Sequence, residues 1–307
     1  MTRRFKGMFA AGAALCASAV TAETLPVNGL EPAGKDAAAA LGVIALEPFG
    51  GSDGQQLAIA VADRLRAVTI DGEPYFRILP TVSPAEADAV LDGTAAAEVG
   101  RRDSGSREEQ VCVERDEDDK CIRRETRHIP CWDHVVRLDA AVRLIAIDGA
   151  MLHAADRQDE LIQRYCQGDG RPSSEGMVRE LAGRYADALR ADLAPFQRFD
   201  QIRVMESRKG LSKQDSRAFR EAIRLTKSDG VAACAAWMDI APRNPAHASV
   251  LFNLGLCAES AGRRDEAYDY YRRILAADDD VDYARQGARR IERYRRAEAQ
   301  LASHRRL

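Results

Sequence analysis

From Val136 to Ile147 apolar side chains recur at every second position: Val136, Leu138, Ala140, Val142, Leu144 and Ala146. Arg137, Asp139 and Arg143 fall between them. Period two is the signature of a strand with one buried face. Asp148-Gly149 follows, the dipeptide favoured by a two-residue type I′ turn, and the chain returns through Met151 to Cys166. If Ile147 faces Ala150 across that turn, counting outward along the ladder brings Cys131 opposite Cys166. Strict counting makes this a hydrogen-bonded pair, where the Cα atoms stand wider apart, and a bulge along the ladder would shift the register.

The cysteines are therefore informative, and their compartment matters. Arg3, Arg4 and Lys6 precede a short uncharged apolar run, Met8 to Val20, and Val20-Thr21-Ala22 offers the small residues of a cleavage site. That order predicts a signal peptide over residues 1–22, a mature chain beginning at Glu23, and a periplasmic or secreted protein. Leu15 before Cys16 departs from the small residue of a lipobox, so lipid anchoring is not expected. No later stretch is apolar enough to span a membrane.

Six cysteines remain: Cys112, Cys121, Cys131, Cys166, Cys234 and Cys257. An even number in an exported chain reads as disulfides. Cys112 and Cys121 bracket an acidic hairpin tip, Glu114 to Asp119, and Cys112–Cys121 with Cys131–Cys166 is the favoured pairing among the three that these four cysteines allow. Zinc is the competing use, since Cys121, His128, Cys131 and His134 cluster. Their spacing fits no common zinc module, and a strand would turn residues 128 and 131 to opposite faces.

Residues 23–40, with Pro26, Gly29, Pro32 and Gly34, read as a linker. The next segment, 41–206, has the pattern of an α+β domain with a mixed or antiparallel sheet and packed helices. Leu41 to Leu46 is a buried strand, Leu57, Val61, Leu65 and Val68 mark a helix, and Tyr75 to Leu79 a second strand. Ser83-Pro84-Ala85-Glu86 looks like a helix start, and Ala89 to Val99 is a further strand. Ser174 caps a long helix with Met177, Val178, Leu181, Tyr185, Ala188 and Leu189 inward, until Pro195 stops it. Residues 199–205 form the last strand. From 207 to 307 the pattern is helical throughout.

Within that helical third, Leu251, Leu254, Gly255 and Ala258, then Gly262, Ala267 and Tyr271, resemble a tetratricopeptide repeat. Gly255 and Ala267 would let two helices approach, and Tyr271 would fill the gap beside them. Leu251 and Ala258 replace the usual aromatics, and Asp279 stands where proline is common. Ala233, Trp237 and Pro245, 34 residues upstream of Ala267, Tyr271 and Asp279, make a degenerate earlier copy, and residues 282–304 a capping helix. Cys234 and Cys257 fall on neighbouring helices, as a third disulfide or as two buried thiols. The resemblance implies a concave peptide-binding face on the first helix of the repeat, with Phe252, Asn253, Leu256 and Glu259 toward it. Asn253 resembles the asparagine that some such repeats use to hold a peptide backbone. Neither Asn253 nor Glu259 is expected to fill the core.

The preceding domain is faintly similar to the envelope group that includes the CsgG-type, LpoB-type and TolB N-terminal domains. Val43-Ile-Ala-Leu46-Glu-Pro48-Phe49, Glu73 to Leu79, and Ala87 to Gly93 carry the likeness. That group implies action by contact or oligomerisation. Chemistry has little support in the sequence: Gly50-Gly51-Ser52-Asp53-Gly54 lacks a phosphate-binding Gly-Lys-Ser/Thr, and no Gly-x-Ser-x-Gly elbow or His-Glu-x-x-His pair occurs. A net charge of −3 gives no case for nucleic acid. The expectation is an exported, non-catalytic envelope scaffold without a cofactor, binding a protein or peptide partner. The alternative is a self-assembling, curli-type secretion or envelope-assembly component, and the third class an enzyme with an unrecognised site.

Overall fold

The computed structural model describes residues 23–80, 86–278 and 281–304. The leader (1–22), the helix start at Ser83-Pro84-Ala85 and Asp279 lie outside the described residues.

The fold is α+β. Strands β1 (Thr24–Glu31) and β9 (Phe196–Arg203) form a two-stranded sheet. The main sheet has the order β5-β2-β6-β7-β8, with β2 (Val43–Leu46), β5 (Arg77–Pro80), β6 (Ala89–Arg115), β7 (Cys121–Ala146) and β8 (Met151–Cys166). β2 runs parallel to both of its neighbours, whereas β6, β7 and β8 form an antiparallel meander. Residues 23–40 are therefore no linker. Alternate residues of β1 are buried, including Leu25 and Val27, and α1 (Asp36–Ala39) follows. Every second side chain had a core to face, so the Pro and Gly content misled.

The chain divides into two compact units that interleave in sequence. One holds Gly29–Arg198 with Glu292–Leu307, the other the described residues up to Asn28 with Phe199–Ile291. The boundary expected at 206/207 is thus replaced by three crossings, each inside a strand or helix.

In the sheet unit, α2 (Gly54–Arg66) and α3 (Ser174–Leu193) cover one sheet face. Ser173, not Ser174, caps α3, its hydroxyl accepting from the Gly176 N–H. Leu57, Leu65, Leu181 and Leu189 pack with Ile44, Leu91, Val136, Leu138 and Leu144. The other face is polar and laced by ion pairs, Arg143 to Asp92 at 2.9 Å and Arg137 to Glu160 at 3.0 Å. That one-sided burial is what the alternation in β7 required.

The hairpin turn differs from expectation. Asp148 does not adopt positive φ; only Gly149 does, at 90°. The Ala146 N–H donates to the Ala150 carbonyl and the Gly149 N–H to that of Ala146. This is a three-residue loop of the kind built from a type I turn and a left-handed glycine. It displaces the ladder by one residue, and an irregularity between Leu144 and Ile145, where Leu152 is the extra residue, restores it. Cys131 consequently faces Cys166 after all, at a narrow position with Cα atoms 3.9 Å apart. The Gln167 N–H donates to Pro130, so the hydrogen-bonded pair is one step away. A turn with both central φ positive does occur, at Asp71-Gly72, joining β3 (Thr69–Ile70) to β4 (Glu73–Pro74).

β6 and β7 extend far beyond the strands read from alternation. Past Cys131 and Cys166 they continue as a two-stranded arm in which no residue from 101 to 130 is buried. Disulfides close both ends of the arm, Cys131–Cys166 at its base and Cys112–Cys121 at its tip. Both Cys121 and Cys131 are thus disulfide sulfurs, not thiolates that could hold zinc. Two strands alone are marginal in water, and the bridges offset that by restricting the unfolded chain.

Two buried histidines mark the edge of the sheet unit's core. His134 Nε2 lies 2.8 Å from the Ser174 hydroxyl, and His153 is within 3.7 Å of Asp192. Burial holds both imidazoles below the usual histidine range; Arg171 adds to this at His134, while Asp192 opposes it at His153. The unfolded chain takes up these protons near pH ~6.5 and the folded chain only at lower pH. Their contribution to stability is therefore complete above about 6.5 and declines as pH falls toward the folded values. Urea midpoints at pH 7.5 and 5.5 should show this decline, and His153→Phe should reduce it. In the same assay Leu144→Ala should cost about 2–5 kcal/mol, and Ile122→Ala on the exposed arm under ~0.5 kcal/mol.

Candidate functional site

The helical unit is built from α4 (Lys213–Leu225), α5 (Gly230–Ile240), α6 (Ala248–Ser260), α7 (Arg264–Ala277) and the beginning of α8 (Asp282–His304). α4 packs on α5, α6 on α7, and α5 against α6. Ser212 and Asp229 cap α4 and α5 by accepting main-chain N–H groups. A disulfide joins Cys234 to Cys257 across α5 and α6. Tyr271 is fully buried where two glycines make room: a Cβ at Gly255 would lie 2.5 Å from its ring, and one at Gly287 2.7 Å. Gly255 beside Tyr271 was legible in the sequence, whereas Gly287 was not.

α6 is the centre of this unit, and every residue from Ser249 to Glu259 is buried. That corrects the expectation for the four residues singled out on it. Phe252 packs edge-on against Tyr283, with ring centroids 4.8 Å apart. Leu256 is completely buried. Glu259 accepts from the Tyr271 hydroxyl at 2.8 Å and from Arg290 Nη2 at 2.7 Å, forming a buried ion pair. Burial, with Glu259 alongside, raises the Tyr271 hydroxyl well above its ordinary range.

Asn253 has the most specific geometry. Its Oδ1 accepts the Met205 N–H at 2.8 Å, and its Nδ2 donates to the Met205 carbonyl at 3.0 Å. The side-chain amide reads one residue's main chain with both its donor and its acceptor. The segment held is the chain's own, immediately after β9.

Beside that segment runs a cleft of about 620 Å³. Arg203, Val204 and Met205 form one wall, Phe252, Tyr283 and Gln286 the other. β9 has β1 as its single neighbour, so its second edge carries no strand. Sequence reasoning found α6 but missed this opposite wall, because residues 201–206 look like an ordinary strand end.

A second cavity of about 540 Å³ lies in the same unit, with Leu25, Leu254 and Met238 among its lining residues and the Cys234–Cys257 bridge beside it. α5 is apolar nearly all round, yet Val231 and Met238 are exposed there.

No family model matches the chain, and no curated protein matches it. Among solved structures it is similar to a PelC dodecamer from Paraburkholderia phytofirmans and to a point variant of that protein. Each is 16% identical, with a TM-score of 0.26. The matches cover 55% and 56% of this chain, respectively, and 99% and 98% of theirs. A likeness this weak carries no argument.

Removing the amide in Asn253→Ala leaves the Met205 N–H and carbonyl without their partner and should cost about 1–3 kcal/mol. Glu259→Gln strands the Arg290 charge in the interior and should cost about 3–5 kcal/mol. Thermal melting of the two variants checks both values.

Proposed function

We propose that this is an exported, non-catalytic accessory protein of the cell envelope that binds an extended segment of a partner protein in the cleft of its helical unit. The observation that carries the reading is the Asn253 amide on the Met205 main chain. A wall able to hold one extended strand by its backbone, next to an open cleft, suits a second extended strand. Gln300 makes a similar pair of bonds to Ala33 in the sheet unit, so an amide clamp alone is not a binding site. The cleft beside Asn253 is the distinguishing feature.

On this proposal α4 to α8 are a tetratricopeptide-like module whose groove is lined by α6 and α8. Asn253, Phe252, Leu256 and Glu259 support the groove from within, and the partner touches Tyr283, Gln286 and Arg203. Three disulfides suit an oxidising compartment. No described helix is long and apolar enough to cross a membrane. Both fit a periplasmic or secreted protein whose leader is removed after Ala22.

The test places a photo-crosslinking residue at Gln286 in cells and, separately, at Ile162 on the exposed sheet face. A discrete adduct at position 286 that Tyr283→Ala weakens at least tenfold supports the cleft. Adducts at 162 alone would move partner binding to the sheet unit. An adduct of twice the chain mass would favour the self-assembling alternative.

A further inference from the structure

The three disulfides occupy very different surroundings. Cys131 is completely buried and Cys166 is 5% exposed, at the base of the arm. Cys257 is 6% exposed between packed helices, while its partner Cys234 is half-buried beside the 540 Å³ cavity. Cys112 and Cys121 instead lie at the tip of the arm, where no neighbouring residue is buried and solvent reaches both faces of the ribbon. No residue from 101 to 130 belongs to the hydrophobic core, so opening the tip disturbs no core packing.

Charge distinguishes the tip as well. Cys112 stands directly across the ladder from Arg124, and Cys121 across from Arg115. Facing residues share one side of a ribbon with their Cβ atoms about 5 Å apart. Arg115 is engaged by Asp119 at 3.4 Å, and Glu114 by Arg123 at 3.1 Å, which leaves Arg124 as the cation facing a sulfur with no carboxylate at ion-pair distance among the described residues. A nearby guanidinium stabilises a thiolate, and a stabilised thiolate is the better leaving group in exchange.

From this geometry we infer that Cys112–Cys121 is a thiol–disulfide exchange site, open to an external thiol reductant while the other two bridges persist. An incoming thiolate attacks the sulfur of Cys121. A bond forms between the two sulfurs, the Cys112–Cys121 bond breaks, and its electron pair leaves on Cys112 as a thiolate facing Arg124. A second thiol then displaces the first from Cys121. Two reducing thiols become one disulfide, and both cysteines end as thiols after protonation from water. Reduction releases the arm's tip from its closed loop, while the Cys131–Cys166 bridge still holds its base in register.

The experiment treats the folded, oxidised full-length mature chain with reduced glutathione, without denaturant. Samples are quenched with acid, alkylated and mapped by peptide mass spectrometry. Cys112 and Cys121 should be modified at least ~10 times faster than the other four cysteines, with a transient glutathione adduct on Cys121. Arg124→Gln should slow that reaction about threefold without moving the melting temperature. Reaction of Cys131–Cys166 or Cys234–Cys257 at an equal or higher rate would overturn the assignment. An unchanged rate in Arg124→Gln would overturn the part given to that arginine.

Discussion

In the helical unit, one side-chain amide determines how the rest can be arranged. Asn253 is completely buried in the middle of α6, where an unpartnered amide would be costly. It is satisfied only if a main chain passes with an N–H and a carbonyl at the right spacing, and Met205 supplies both. The path of the segment after β9 follows from that requirement, and so does the cleft between it and α8. Glu259, two turns further along α6, imposes a similar demand, met by Tyr271 and Arg290. Polar groups buried on one helix thus fix where its neighbours stand.

The sequence carried the sheet unit's core well, because one-sided burial leaves a period of two or of 3.6 in the apolar residues. Leu138, Val142 and Leu144 in β7 and Leu181 and Leu189 in α3 are the clearest cases. It carried the arm poorly, because Arg107 to Ile129 face water on both sides and no period is imposed on them. The Cys131–Cys166 pairing was reached through a wrong turn. A three-residue loop in place of a two-residue one would have shifted it, and the extra Leu152 cancelled the shift. Asp-Gly encodes permission for positive φ, not a loop length. Asp71-Gly72 and Asp148-Gly149 accordingly take different turns.

Function was less legible than fold. Of the residues marked on α6 only Phe252 lines the cleft, whose remaining wall comes from residues 201–206 and the start of α8. Helical spacing cannot reveal this, since it projects a face without knowing what covers it. Pro26, Gly29 and Pro32 suggested a linker for the same reason: the alternation of Leu25, Val27 and Gly29 becomes visible only once a second strand lies beside them.

The most direct measurement is amide hydrogen exchange at Met205 in the full chain, compared with that at Glu117 in the exposed tip. The account predicts that the Met205 amide exchanges at least ~100 times more slowly than Glu117, and that Asn253→Ala removes most of this protection. A Met205 amide that exchanges as fast as the tip, or that stays protected in Asn253→Ala, would contradict it.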